Sequence, residues 1–516
     1  MRLLVLAICA VIATGGSPST RIATGDRTLD ARGIVMFDLA RSSDTGTKGD
    51  QITKARRVTL IGLTIPLGIV SLRERNLSAV ADSHGRFTLE DVILTRGVNN
   101  LTITTTSAVD TVIEATQRIE RIDSGSSASS LIEWNEFALD AIRATSTPPP
   151  VAARVLALQS LAVFDAVNAA QGRPSHLVRA PATEGTSPEA AAAVAAYRVL
   201  VHIYPAQRGV LNDHLQNSLN EIPDTQGKAA GITLGQTIAD LMIASRDQDG
   251  WDVAIAYQHG NEVGRWRPTE PKFVEALLPH WARLRPFVLT SPSQLRPPGP
   301  PALESDAYAA AVNEVKTLGA TNDSSRTAEQ TEIALFWADG AGTYTPPGHW
   351  NQIAGDIASA ESVSLFEAAR LFAILNCGLL DAAIAAWDAK YRYELWRPID
   401  AIWHADQDAN AATIPDPAWV PLLITPPFPE YVSGHAAFSG AAASILSRLF
   451  GESVVFDVIS DGLPNVTRRF SSFHEAAEEA GRSRVYGGIH FEFSNRDGLA
   501  LGYAVGDMTL QAFLDR

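Results

Sequence analysis

The chain has 516 residues, too many for one hydrophobic core, and ordinary domain sizes divide it into about two to four units. Its 46% apolar and 19% charged residues are those of a globular rather than a disordered protein. The net charge of -15 excludes a general binder of nucleic acid, whose phosphates need a basic surface, but leaves room for a small anion held by a local cation cluster. Met1-Arg2 followed by the apolar run Leu3 to Ala13 reads as a secretory signal, expected to occupy residues 1–23 and to make the protein exported, periplasmic or extracellular. That run is shorter than the roughly 20 residues a bilayer requires, and no other uncharged stretch is long enough, so no membrane span is expected. Ile8 before Cys9 does not fit a lipid-attachment site. Cleavage of the leader leaves Cys377 as the only cysteine, which excludes an intramolecular disulfide and a cysteine-based metal site.

Residues 24–122 have the texture of short strands. Arg57-Val58-Thr59-Leu60-Ile61 and Leu101-Thr102-Ile103-Thr104 are β-branched and alternating. Asp82-Ser83-His84-Gly85 and Gly97-Val98-Asn99-Asn100 supply turn residues between them. The expectation is a small antiparallel β-sandwich. The stretch resembles the carboxypeptidase-regulatory-like or transthyretin-like modules of bacterial exported enzymes, and it carries no chemical motif, so an accessory role is expected.

Asp123 to Ser130 is a serine-rich linker by composition. Beyond it, over 131–516, Ala-rich segments with helical periodicity recur around 151–170, 187–203, 228–246, 305–318, 360–388 and 472–486, broken by proline-rich connections at Ser291–Pro301 and Pro421–Pro429. After His435, the residues Phe438, Ala441, Ala442, Ile445 and Leu449 follow one helical face. The fold class is therefore mainly α: a large helical-bundle domain preceded by the small antiparallel β-sandwich.

Three short patterns carry the chemistry. In Lys390 to Pro398, seven residues of helix turn through about 700°, which brings Lys390 and Arg397 to one face roughly 10 Å apart. Two cations so placed can converge on one anion, and Pro398 ends the helix near Arg397. Taken alone, the pair is better explained as a solvated basic face. Ser433 then stands at an N-cap position before a helix, with Gly434 allowing close approach of a ligand to the free N–H groups and His435 beside it. Capping by itself would account for the serine. Finally Arg484 and His490, six residues apart, would face different sides of a continuous helix and can share a ligand only if Gly487-Gly488 breaks it. A structural histidine is the plain alternative there.

Taken together, the order Lys-x6-Arg-Pro, Ser-Gly-His, Arg-x5-His resembles the signature of vanadium-dependent haloperoxidases and of the type-2 phosphatidic acid phosphatase superfamily. The resemblance spans about 131–516 and includes Phe336-Trp337-Ala338-Asp339, Pro346 to Asn351, Asp416 to Trp419 and Thr425 to Pro429. It implies that Lys390, Arg397 and Arg484 bind the oxygens of vanadate, or of phosphate in the same site. Ser433 and the Gly434 N–H would add hydrogen bonds, and His435 would act as general acid or base. His490 is implied as the apical group: the nitrogen ligand of vanadium in an oxidase, or the nucleophile forming phosphohistidine in a phosphatase. Asp339 is implied to pair with Arg484, and Trp387 and Phe428 to line the halide side, phenylalanine at 428 being chloroperoxidase-like. Three fixed cations and a helix start suit a tetrahedral dianion and its trigonal-bipyramidal state.

Two positions depart from the pattern. Val432 stands where a proline usually precedes Ser-Gly-His, which loosens the loop. Ser494 stands four residues after His490, where an aspartate is common; Glu492 or Asp497 is the expected substitute. No zinc-protease spacing follows His474-Glu475, and no phosphate loop occurs. His349, His404 and His474 are expected in structural or surface roles.

The leading expectation is a vanadate-dependent haloperoxidase acting on hydrogen peroxide, a halide and a small organic substrate. An acid phosphatase using the same pocket is the alternative enzyme, and an exported binding protein that keeps the fold is the non-catalytic one. The resemblance also allows a homodimer.

Overall fold

A computed structural model describes residues 35–40, 43, 51–53, 55, 57–75, 77–95, 97–107, 112–121, 128–464 and 466–514. The expected leader (1–23), with Cys9, and residues 123–127 of the expected linker lie outside them. The chain divides into two compact units, Met1–Gly125 and Ser126–Arg516.

The first unit holds strands β1 (Met36–Leu39), β2 (Ile52–Thr53), β3 (Arg57–Leu63), β4 (Ile69–Leu72), β5 (Leu77–Val80), β6 (Arg86–Ile93), β7 (Gly97–Thr106) and β8 (Val112–Arg121). They form a three-stranded sheet in the order β1-β3-β6 and a five-stranded sheet in the order β2-β8-β7-β4-β5. Alternation places Phe37, Val58, Leu60 and Leu89 from the first sheet with Val70, Leu72, Ile103 and Ile119 from the second in one apolar core. The expected all-antiparallel pairing needs one correction, because β2 runs parallel to β8. A second correction concerns Gly97 to Asn100, which open strand β7 rather than forming a turn. The Asn99 side chain instead closes the bend before it, accepting from the Thr95 N–H at 2.8 Å. The turn at Asp82 does form, its carboxylate accepting from the N–H groups of His84 and Arg86.

The second unit is helical: α1 (Ser129–Thr145), α2 (Pro149–Ala170), α3 (Pro188–Ile203), α4 (Arg208–Asn220), α5 (Gln226–Arg246), α6 (Asp306–Leu318), α7 (Ala328–Phe336), α8 (Thr345–Ala360), α9 (Leu365–Tyr393), α10 (Pro398–Trp403), α11 (Gly434–Phe450), α12 (Phe473–Tyr486) and α13 (Glu492–Leu514), with a hairpin of β9 (Phe456–Ile459) and β10 (Thr467–Phe470) before α12. Helix α1 begins at Ser129, inside the stretch read as linker. Helix α9 is the axis of the bundle, buried along most of its length and packed on α2, α11 and α13. Helix α11 is buried on all sides from Ala436 to Ser447, more than its single predicted face required. Close approach of α13 explains this: a Cβ on Gly502 would lie 2.3 Å from the Ala437 carbonyl, and one on Gly440 would lie 2.5 Å from that of Leu499.

Helices α2 and α9 are long and apolar enough to cross a membrane by length and composition alone, although each carries charged residues, Arg154 and Asp165 in α2 and Arg370 and Asp381 in α9. In each, 94% of the apolar window is buried inside the protein, as in a core helix. Between α5 and α6 the chain runs without a long helix and is pinned to the core by Asp381 of α9. That buried carboxylate accepts from the N–H groups of Phe287, Val288 and Leu289, each at 2.8 Å. Asp165 of α2 holds residues 176–178 in the same way.

Candidate functional site

Helix α9 ends at Tyr393, earlier than the lysine–arginine spacing implied, because Glu394 takes a left-handed conformation with φ 51°. Its carboxylate is held from the irregular segment before α6, by Arg265 at 2.6 Å and the Tyr257 hydroxyl at 3.0 Å. Lys390 thus lies on the last turn of α9, whereas Arg397 is extended, at the N-cap of α10 before Pro398. The two do not share a helical face. They converge through the loop that precedes α11, on which both side chains close.

Lys390 Nζ donates to the carbonyls of Pro429 (3.1 Å), Glu430 (3.0 Å) and Val432 (2.5 Å), which uses all three of its protons. The loop is therefore clamped and not loosened at Val432, which is fully buried. Arg397 donates from Nε to the Phe428 carbonyl (2.8 Å) and from Nη1 to the Ile489 carbonyl (2.9 Å). The rings of Trp387 and Phe428 lie 4.9 Å apart, and Phe428 sits under both cations, 4.9 Å from Lys390 Nζ and 4.7 Å from Arg397 Cζ.

Ser433 is the N-cap of α11, its hydroxyl accepting from the Ala436 N–H at 3.4 Å. The N–H groups of the first turn, Gly434 and His435 among them, have no partner within the helix. The imidazole of His435 takes the backbone of Ala338 as partner and leaves buried Nε2 with none.

Gly487 and Gly488 break the chain as their pairing suggested. Helix α12 stops at Tyr486, and Gly488 has φ 75° with its α-carbon against the Gly319 carbonyl, where a Cβ would stand at 2.4 Å. The backbone then doubles back, the His490 N–H reaching the Arg484 carbonyl, so that Arg484 and His490 face one region. Arg484 is fully buried and donates to the Ser483 hydroxyl and to the carbonyls of Trp337 and Ala334. Asp339 is buried beside it but makes no ion pair with it among the described residues. Its oxygens lie 3.2 Å from His349 Nδ1, so the expected Asp339–Arg484 pairing is corrected to Asp339–His349, with only the field of Asp339 reaching the arginine.

His490 has its protonation pattern set by two partners. Arg397 Nη1 lies 3.1 Å from Nε2, and an arginine can only donate, so Nε2 presents a lone pair. Nδ1 then carries the proton and donates it to Glu430 Oε1 at 2.8 Å. Glu430 is the residue that the motif reading missed. Glu492 instead binds Arg482 at 2.6 Å, and Asp497 accepts from the Tyr431 hydroxyl at 2.7 Å; neither reaches His490. Only its place between the conspicuous prolines and Ser-Gly-His hinted at a role, and nothing local pointed it at a histidine sixty residues on.

The electrostatics follow from burial. Desolvation holds the guanidinium of Arg397 down to about 10 and that of Arg484 down to about 10, and pushes the Lys390 ammonium far below its usual value. Burial, helped by these cations, keeps His435 and His490 neutral, while burial pushes the Glu430 carboxyl up to about 7. Among the described residues none of the three cations has a carboxylate at ion-pair distance, and Arg397 Nη2 is buried without a partner. Buried charge left so is costly unless an anion answers it. A tetrahedral oxyanion such as vanadate or phosphate fits this donor set: guanidinium N–H groups, the start of α11, a lone pair on His490 Nε2 and an unpartnered His435 Nε2. No group of three or more His, Cys, Asp or Glu gathers among the described residues to hold a bare cation.

Comparison with known proteins bears on the same region. The family described as VCPO second helical-bundle domain matches residues 370–515. The vanadium chloroperoxidase of Curvularia inaequalis is 25% identical over 483 residues, covering 70% of this chain and 78% of that one. The crystal structure of a bacterial vanadium-dependent iodoperoxidase superposes with a TM-score of 0.65 at 29% identity, covering 75% of this chain and 97% of that chain. A bacterial vanadium-dependent chloroperoxidase in its holo form shares the fold, with a TM-score of 0.58 at 18% identity over 72% of this chain and 93% of that chain.

Proposed function

We propose that this chain is a vanadium-dependent haloperoxidase, in line with the family match over residues 370–515, and that its helical unit binds orthovanadate and oxidises halide with hydrogen peroxide. Peroxide, halide and one proton give hypohalous acid and water, and the acid halogenates a small organic substrate. The observation that carries this reading is the buried cluster of Lys390, Arg397 and Arg484, none of which has a carboxylate at ion-pair distance among the described residues, with Arg397 beside the lone pair of His490 Nε2.

Bound vanadate supplies a Lewis acid that activates peroxide without a change of metal oxidation state. The chain's own residues supply the rest. Arg397 and Arg484 bind and orient the oxyanion with Ser433, the N–H of Gly434 and the start of α11. Lys390 contributes its charge and, through the three carbonyls it clamps, fixes the loop that carries Ser433. His490 Nε2 would supply the nitrogen that holds the vanadium. His435, kept neutral by burial and by Arg484, takes a proton from peroxide at Nε2 and returns it later. Trp387 and Phe428 wall the halide side and keep water from the cations. The apolar run Leu3 to Ala13 supports an exported enzyme, and 24–122 would serve as an accessory domain.

The test is purified protein loaded with orthovanadate and supplied with peroxide and, in turn, chloride, bromide and iodide, with halogenation of a phenol reporter as readout. Hydrolysis of a phosphate ester is measured beside it without vanadate. Halogenation that depends on vanadate and is lost in His490→Ala is expected. Ester hydrolysis without any halogenation would overturn the oxidase in favour of the phosphatase, and the absence of both activities together with vanadate binding would mark a binding protein.

A further inference from the structure

Glu430 ties together the parts of the site that come from distant stretches of chain. Its N–H donates to the Leu395 carbonyl at 2.9 Å, just beyond the end of α9. Its own carbonyl accepts from Lys390 Nζ and, at 3.5 Å, from the Ser494 hydroxyl of α13. Its side chain is fully buried, and Oε1 accepts from both His490 Nδ1 (2.8 Å) and the Phe491 N–H (2.9 Å). One residue thus touches the lysine, the helix that follows the histidine, and the histidine itself.

We propose that Glu430 is the positioning residue of His490: by holding the Nδ1 proton it keeps the Nε2 lone pair turned toward Arg397 and the anion. An imidazole has two neutral tautomers, and the one it adopts is set by the hydrogen bond its other nitrogen makes. With Nδ1–H fixed on a buried carboxylate, Nε2 cannot carry the proton, and a nitrogen that carries a proton cannot act as ligand or nucleophile. The second acceptor contact, from the Phe491 N–H, holds Oε1 in place, so the imidazole cannot rotate without breaking a backbone anchor as well. Ser494, four residues after His490, has no carboxylate to offer; its hydroxyl braces Glu430 instead. This inference rests on the reading of His490 as the apical group.

The tautomer is directly observable in protein labelled with 15N at histidine, where the His490 signals are assigned by their loss in His490→Gln. Wild-type protein without vanadate is expected to show a protonated Nδ1 and a bare Nε2 at His490; a protonated Nε2 would overturn the proposal without any variant. In Glu430→Ala, where only Arg397 still favours a bare Nε2, the preference is expected to weaken measurably and orthovanadate affinity, followed by 51V NMR, to fall about 10- to 100-fold. Glu430→Gln, whose amide oxygen can accept the same two protons, is expected to restore the tautomer and most of the affinity. A Glu430→Ala protein that keeps the wild-type tautomer would show that Glu430 only braces the backbone, and should this variant not fold, the wild-type and glutamine spectra still decide. Failure of wild-type protein to bind vanadate would sink the functional reading, while the apo tautomer would still judge Glu430.

Discussion

Asp400 lies three residues past Arg397, on α10, with Oδ2 buried and unpartnered and Oδ1 3.5 Å from Arg267 Nε. Burial pushes its carboxyl from 3.8 up to about 6, against the opposing fields of Arg267 and His404. A carboxyl that binds its proton more tightly folded than unfolded favours the folded state while it is protonated. That contribution is complete below 3.8 and is lost as pH rises through about 6. Asn keeps the shape without the charge. Asp400→Asn is therefore expected to gain on wild type in unfolding free energy by roughly 3 kcal/mol between pH 4 and 7, measured by urea titration. A difference that does not change with pH would refute the buried-carboxylate account. The same competition between burial and partners separates what was legible at single residues from what was not. Ser433 could be recognised as a cap because capping is local, whereas the carboxylate facing His490 was sought at Glu492 and Asp497, close by in sequence. Those two remain within reach of Arg482 and Tyr431, and the buried imidazole is met by Glu430.

The ends of helices decide the site more than their interiors do. Gly488 allows α12 to turn back with positive φ, and its missing Cβ admits the Gly319 carbonyl. Gly488→Ala adds backbone strain and a clash at once, each of which typically costs about 1–3 kcal/mol. We expect a lower melting temperature by calorimetry and a loss of vanadate affinity, since His490 stands two residues on. Wild-type affinity in a folded variant would mean that the turn does not position the histidine. This break was readable from the paired glycines. The end of α9 was not: nothing local stops the helix at Tyr393, and Glu394 is held in its left-handed conformation by Arg265 and Tyr257, more than a hundred residues earlier in the chain.

At the scale of the whole chain, two separate apolar cores correspond to the two units, and every residue assigned to the anion site belongs to the second. A chain beginning at Ser126 is expected to fold and to bind orthovanadate with the affinity of the full protein, measured by the same 51V titration. A marked loss of affinity in a folded truncated chain would give the β-unit a part in the site.

The sequence by itself determined the change from strand to helical texture, the cap at Ser433, the break at Gly487-Gly488, and the order of cations and histidines that resembles one family. These rest on periodicity, capping and backbone permissiveness, which act over a few residues. Tertiary structure decided which groups face each other: Glu430 on His490, Asp339 on His349 and not on Arg484, and the Lys390 ammonium on three loop carbonyls. The reason is that a buried charge or imidazole takes its partner from whatever the packed elements bring within about 3 Å, and sequence spacing does not fix that neighbour.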